Sequence, residues 1–275
     1  MMLVDAPAVQ DDDDEYDFTL PDGEIMEEET SAFCWLANQA EERGDVVDAI
    51  RNLEAAICPA APKPMPSVEV KVRVKIAGLL MEHTDNIQPW ARSHLEQAAL
   101  MVKGLRGYGA LKCAVHAELA RCYGALGETK LEAGALAAGR TLADKQGGAM
   151  AVASREPFTV YHRHFTLRLA ECLRVAGEPE HALALLRAGR LLAAQQEDPA
   201  EAAAFALGEC VMAFGDANPK QLEEALKRAG ELLDKAEEPV KCGGPEPRGY
   251  HQLRFMRGLF RAVAAARAGT TEAGA

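Results

Sequence analysis

Apolar positions along this chain recur at helical spacing. Residues 49–56 place Ala49, Leu53 and Ala56 at i, i+4 and i+7. The same small-large-small triplet returns as Ala91, Leu95 and Ala98, and as Ala182, Leu186 and Gly189. A looser copy is Leu222, Leu226 and Ala229. That spacing marks one face of an α-helix. Small residues let a second helix approach closely, and the Leu fills the groove between them.

The pattern predicts five helix pairs and a last helix. Pair one is 31–43 and 46–57, with Thr30 or Ser31 as N-cap and a turn at Gly44-Asp45. Pro59, Pro62, Pro64 and Pro66 make a stiff link. Pair two is 68–83 and 87–103, and pair three is 109–126 and 129–145, turning at Gly127. A loop with Gly147-Gly148 covers 146–155. Pair four is 157–176 and 180–195, turning at Gly177-Glu178-Pro179, and pair five is 199–214 and 219–236. A Gly/Pro-rich loop follows at 237–248, then an unpaired helix at 249–268. No stretch reads as strand.

Each first helix puts a small residue about seven before its turn glycine and a second residue three or four before it. Ala37, Ala40 and Gly44 do so, as do Ala120, Tyr123 and Gly127, and Ala170, Leu173 and Gly177. This is a tetratricopeptide-like signature, with a period near forty explained by longer loops between pairs. The fold expected is all-α, a right-handed superhelix of helix pairs. Stacked pairs of this kind commonly bind other proteins.

Composition adds a division of the chain. Twelve of the forty-two acids fall in residues 1–29, which hold no Lys or Arg. Thirty acids then face thirty basic residues in 30–275. Residues 1–29 are expected to be an acidic disordered tail, 30–270 the helical-repeat domain, and 271–275 a disordered end. A neutral body argues against nucleic acid binding by bulk charge. The seven cysteines are odd in number and form no CxxC pair, so they read as reduced core residues of an intracellular protein. No signal peptide or membrane span is visible.

Candidate chemistry is sparse. Cys113, His116 and Cys122 lack the fourth ligand and paired spacing of a metal site, so Cys113 and Cys122 are assigned to packing. His162 and His164 lie two apart on a helix and face differently. His94 is placed on the helix surface beside the packing face. Asp11 to Asp14 lack the glycine and terminal Glu of a calcium loop. No catalytic residue, cofactor or metal is expected, and an α-helical enzyme is the weakest reading.

The first-helix face is the better candidate. If Ala37, Gly78, Ala120, Ala170 and Gly208 mark equivalent positions, the groove-facing set is Asn38, Glu41, Lys75, Glu82, Arg121, His164, Glu171, Arg174, Phe205 and Glu209. Mixed charges suit an extended partner segment. The alternative is a generic tetratricopeptide adaptor. A chaperone-tail binder needs a basic clamp, whereas Lys75, Arg121 and Arg174 are interleaved with acids.

One segment resembles a known family. His83-Thr84-Asp85-Asn86 followed by Ala91 to Ala98 is similar to the helical-repeat subunit of the cohesin loader. Ala49 to Ala55 and the proline-rich link before Val68-Glu69 match its style, over about residues 30–105. The resemblance implies an amino-terminal portion or a shortened member of a longer family. It implies a non-enzymatic nuclear, chromatin-associated scaffold that encloses the extended amino-terminal part of a Nipped-B/adherin-type subunit. Cohesin and chromatin are then indirect partners, in sister-chromatid cohesion.

Overall fold

Four glycine or glycine-like turns set the rhythm of the chain. Gly44, Gly127 and Gly177 have φ of 76°, 73° and 83°, and Glu197 has φ of 58°. At each, a helix ends in the same pair of backbone bonds. The amide of Gly44 donates to the carbonyl of Glu41, and that of Asp45 to Ala40, both at 2.8 Å. Glu128 donates in the same way to Tyr123, Glu178 to Leu173 and Asp198 to Ala193. These are Schellman closures, which need a left-handed residue at the reversal. The residue after each reversal then starts the next helix: Asp45, Glu128, Glu178 and Asp198 each accept the first helical bond, from Ala49, Glu132, Ala182 and Ala202. Asp45 and Asp198 add a side-chain cap, to the amides of Asp48 and Glu201.

The computed structural model describes residues 28–58, 65–83, 88–149, 156–215 and 219–241, with Gly258 and Ala262 beyond them. These residues form ten helices and no strand. They are α1 Glu28–Glu42, α2 Val46–Ala56, α3 Pro66–His83, α4 Gln88–Gly104 and α5 Gly109–Ala125. There follow α6 Thr129–Ala149, α7 Glu156–Val175, α8 Pro179–Gln195, α9 Pro199–Gly215 and α10 Pro219–Lys241. The chain divides into two compact units, Met1–Tyr161 and His162–Ala275. Among the described residues no helix is long and apolar enough to cross a membrane.

In the first unit α1 packs on α2, α3 on α4, and α5 on α6. Neighbouring pairs join through α2 with α3, α4 with α5, and α3 with α5. The triplets are the buried seam: Ala49, Leu53, Ala56, Ala91, Leu95 and Ala98 are all fully buried. In the second unit Ala170 of α7, Ala182 and Leu186 of α8, and Ala202 and Phe205 of α9 form one cluster. Leu222, Leu226 and Ala229 of α10 form another with Ala203, Leu207 and Cys210 of α9.

Several boundaries differ from expectation. Helix α1 begins at Glu28, so Thr30 and Ser31 lie inside its first turn and are not its cap. Pro66 opens α3 instead of ending the link; Pro179, Pro199 and Pro219 likewise open α8, α9 and α10. A proline there loses no helical bond and its φ is already helical. Helix α6 runs to Ala149, into the expected loop, because Gly147 is buried there and a helical glycine costs only about 1 kcal/mol. Helix α10 runs past 236 to Lys241, with Pro239 in the last turn, where one lost bond costs least. The expected acidic tail 1–29 gives up Glu28 and Glu29 to α1; its residues 1–27, the link 59–64, the turn 84–87, residues 150–155 of the expected loop and nearly all of 242–275, including Cys242, lie outside the described residues.

Cys34, Cys113, Cys122, Cys172 and Cys210 are buried free thiols. Burial pushes the thiols of Cys113 and Cys210 up to about 12. Cys58 departs from the expected core set: it sits past the end of α2 and is exposed.

Candidate partner-binding face

The first-helix face of the first unit is built by α1, α3 and α5. Buried Ala37 and Ala40 turn Asn38 outward and leave Glu41 at the edge of the seam. Buried Ala77 and Leu80 do the same for Glu82 on α3. Two ion pairs then cross between successive first helices. Lys75 of α3 holds Glu41 of α1 at 2.7 Å. Arg121 of α5 lies 3.5 Å from Glu82 of α3 and 2.6 Å from Glu118 on its own helix. Lys75 and Arg121 are therefore compensated cations, not a free basic clamp. Charges this exposed contribute at most about 1 kcal/mol per pair, so they set pattern more than stability.

Trp35 escapes the spacing rule. It is 61% exposed and lies three residues before Asn38, so both share one side of α1. A tryptophan three residues before Asn38, off the Cys34 and Ala37 packing positions, is the sequence signal that would have found it. Exposed aromatic side chains of this size commonly anchor partners.

In the second unit the selected residues separate. His164 is exposed, while His162, two residues earlier, is buried with its ring 5.9 Å from that of Phe205. Glu171 receives Arg174 at 2.6 Å, and that bond with the guanidinium lowers its carboxyl pKa. His164, Arg168, Glu171 and Val175 follow helical spacing along one side of α7, and Val175 is 63% exposed.

Phe205 and Glu209 are not on a face. Phe205 is fully buried, with its ring packed on Gly189. Glu209 is also buried, held by Arg190 of α8 at 2.6 Å and by Arg228 of α10 at 3.3 Å. Their expected place in the groove came from extrapolating the spacing of Gly208. Helix α9 is apolar nearly all round and packs on both α8 and α10, so it has little outward side. Glu201, the other acid deep in α9, is paired with Arg163. Two acids in an otherwise apolar helix signal buried ion pairs, because a buried carboxylate demands a partner.

His94 departs from its expected surface position. Its side chain is only 12% exposed, 4.0 Å from Glu54 of α2. Burial, then the nearby Arg73, lowers its pKa to about 4, and its Nδ1 has no hydrogen-bond partner. Cys113 and Cys122 are fully buried packing residues, as assigned. Among the described residues no group of three His, Cys, Asp or Glu is placed to hold a metal.

Comparison with known proteins agrees with this architecture. Two solved structures of a putative kinesin light chain with nearly identical TPR-like repeats, from Podosopora anserina, are similar. One has a TM-score of 0.58 at 18% identity, covering 78% of this chain and 99% of that one. The other has a TM-score of 0.55 at 19% identity, covering 75% and 95%. At such identity the likeness shows the fold alone: tetratricopeptide-like helix pairs. In sequence, the chain is 35% identical over 88 residues to the sister chromatid cohesion protein SCC4 of Arabidopsis thaliana. That match covers 32% of this chain and 12% of the relative, so the chain spans a small part of the relative's length. The family described as cohesin loading factor matches residues 46–240, from the first residue of α2 into the last turn of α10. The match thus runs well beyond residue 105, where spacing and motif alone lose the resemblance. The chain belongs to the cohesin loading factor family.

Proposed function

We propose that this chain is a non-enzymatic scaffold of a cohesin-loading complex. It binds an extended amino-terminal segment of a large Nipped-B/adherin-type subunit and acts in the nucleus, on chromatin, in sister-chromatid cohesion. The observation that carries this reading is the extent of the family match, which takes in nine of the ten described helices, α2 to α10.

The geometry supports a binding role in two ways. Asn38, Glu41, Lys75, Glu82 and Arg121 form a polar, charge-balanced strip on the first helices of the first unit. His164, Glu171 and Arg174 form a shorter strip on α7. Balanced charges favour a partner held through backbone and side-chain hydrogen bonds over one drawn in by net charge. Phe205 and Glu209 belong to the core and are withdrawn from the binding set. Co-purification with the large subunit from the native source tests the proposal. Its absence from the recovered complex, with another partner in its place, would overturn it in favour of a generic adaptor.

A further inference from the structure

Between Glu96 and Glu118 the chain carries Lys103, Arg106 and Lys112 and no acid. The acids that bound this stretch are engaged elsewhere, Glu96 with Arg92 and Glu118 with Arg121. The stretch is the end of α4, the connection to α5 and the first turns of α5, all within the first unit. Lys103 and Arg106 are exposed. Lys112 folds back to donate to the carbonyl of Leu105 at 2.6 Å, which keeps its ammonium beside the connection. Lys103 reaches the same place from α4, close enough to His116 of α5 to help lower that imidazole's pKa, after burial. Three cations therefore converge on one connection in a body with no net charge.

An aromatic ring stands among them. Tyr108 is 39% exposed and has φ of 48°, following Gly107 at 73°. A bulky side chain is strained in the left-handed region, so its surroundings must hold it there. Its neighbour Gly109 is pressed against the interior: a Cβ there would lie 3.0 Å from the buried Phe158 ring and 3.2 Å from Gln146 of α6. That packing holds the connection in place and leaves the Tyr108 ring outward. Lys145, exposed on the same turn of α6 as Gln146, adds a fourth cation nearby, and Asp144 of that turn is itself engaged.

The occupant this surface fits is acidic, short and aromatic. The chain carries one such segment: Asp11 to Asp14, Glu15, Tyr16, Asp17 and Phe18 hold six acids and two aromatic residues in eight positions. We propose that residues 11–18 dock in cis on the 103–112 connection, with carboxylates on Lys103, Arg106 and Lys112 and an aromatic ring against Tyr108. Nine residues, 19–27, separate Phe18 from the start of α1 at Glu28. At about 3.5 Å per residue the ten steps reach up to about 35 Å. A tether of that length gives an effective concentration near the millimolar range, so a weak contact is enough. A nucleic acid is a poorer fit, because three or four cations on a neutral body do not sustain binding to a polyanion. A docked tail would be displaced by a partner segment of the same chemistry, so it acts as a competitor in reserve. This inference does not depend on the loader reading.

The test titrates a fluorescein-labelled peptide of residues 9–20 into three full-length chains and reads anisotropy. One chain is unaltered. The second carries Asp11→Asn, Asp12→Asn, Asp13→Asn, Asp14→Asn, Glu15→Gln and Asp17→Asn. The third adds Lys103→Glu and Arg106→Glu to the second; Lys112 is spared because it braces the connection. The second chain should bind at least tenfold tighter than the unaltered one, and the third at least tenfold weaker than the second, with melting temperatures of all three alike. Equal binding by the first two chains would show that the tail does not occupy the surface. Equal binding by the last two, or none by the second, would show that the surface is not the site.

Discussion

A Cβ placed on Gly189 would lie 2.9 Å from the ring of Phe205. The ring is fully buried and belongs to the cluster that joins α7, α8 and α9, so it has no room to retreat. Gly189 is the last member of the third small-large-small triplet, and here the smallest residue is required. Gly189→Ala should destabilise the second unit by about 1–3 kcal/mol, despite the helix propensity gained. Chemical denaturation measures this; a variant as stable as the parent would show that the ring can move.

The triplets make a stronger demand at their centres. Leu53→Ala and Leu95→Ala each empty a fully buried site between helices, and each should cost about 2–5 kcal/mol. Because neighbouring pairs share interfaces, melting of the first unit should broaden as well as shift. Melts indistinguishable from the parent would mean that the triplet does not mark the packing seam.

Turns and seams were legible because each leaves a local signature. Ala40, Tyr123 and Leu173, picked out by their distance from a glycine, are the residues whose carbonyls close the Schellman turns. The turn after α8 was less visible, because Glu197 takes the left-handed conformation without being glycine. The helix expected over 68–83 is α3, although valines alternate with charged residues from Val68 to Val74. Contact with α2, α4 and α5 buries it on nearly every side, and burial overrides β-branched propensity. The proposed face was legible only where a first helix keeps an outward side. On α1, α3, α5 and α7 the spacing rule placed charged residues at or near the surface; on α9 it placed Phe205 and Glu209 in the core. A single sequence does not reveal that a helix is flanked on both sides.

Gly177 isolates the backbone term. It has φ of 83°, and nothing lies within 4 Å of where a Cβ would stand, so only conformational strain opposes a side chain. Gly177→Ala should cost roughly 1–2 kcal/mol, and Gly177→Asn less. Urea denaturation of both variants checks this; equal losses for the two would point to a steric cause instead.

His94 and Glu201 should answer pH in opposite directions. His94 is neutral in the folded first unit, with its pKa lowered to about 4 by burial and Arg73. Below about 6.5 the unfolded chain takes up a proton that the folded chain refuses. Stability of the first unit should therefore fall by about 2–3 kcal/mol as pH drops from 6.5 to 4, and His94→Gln should flatten that fall. Glu201, raised to about 7 by burial against the pull of Arg163, works the other way. Its contribution in the second unit is full below about 4.5 and is lost as pH rises through 7. Denaturation followed at pH 4, 5.5 and 7.5 checks both; a first unit equally stable at pH 4 and 7.5 in parent and variant would contradict the His94 assignment.

We propose that the polar strips described on the first helices of each unit receive an extended segment of the large loader subunit. Isothermal titration with the amino-terminal region of that subunit decides this, using the parent chain and the triple variant Lys75→Glu, Arg121→Glu, Arg174→Glu. The parent should bind, and the variant at least tenfold more weakly, since each reversal sets like charges beside Glu41, Glu82 or Glu171 and misplaces partner contacts. Helix content should be unchanged by circular dichroism. Equal affinity in parent and variant would remove these strips from the binding site, and no binding by the parent would contradict the scaffold reading itself.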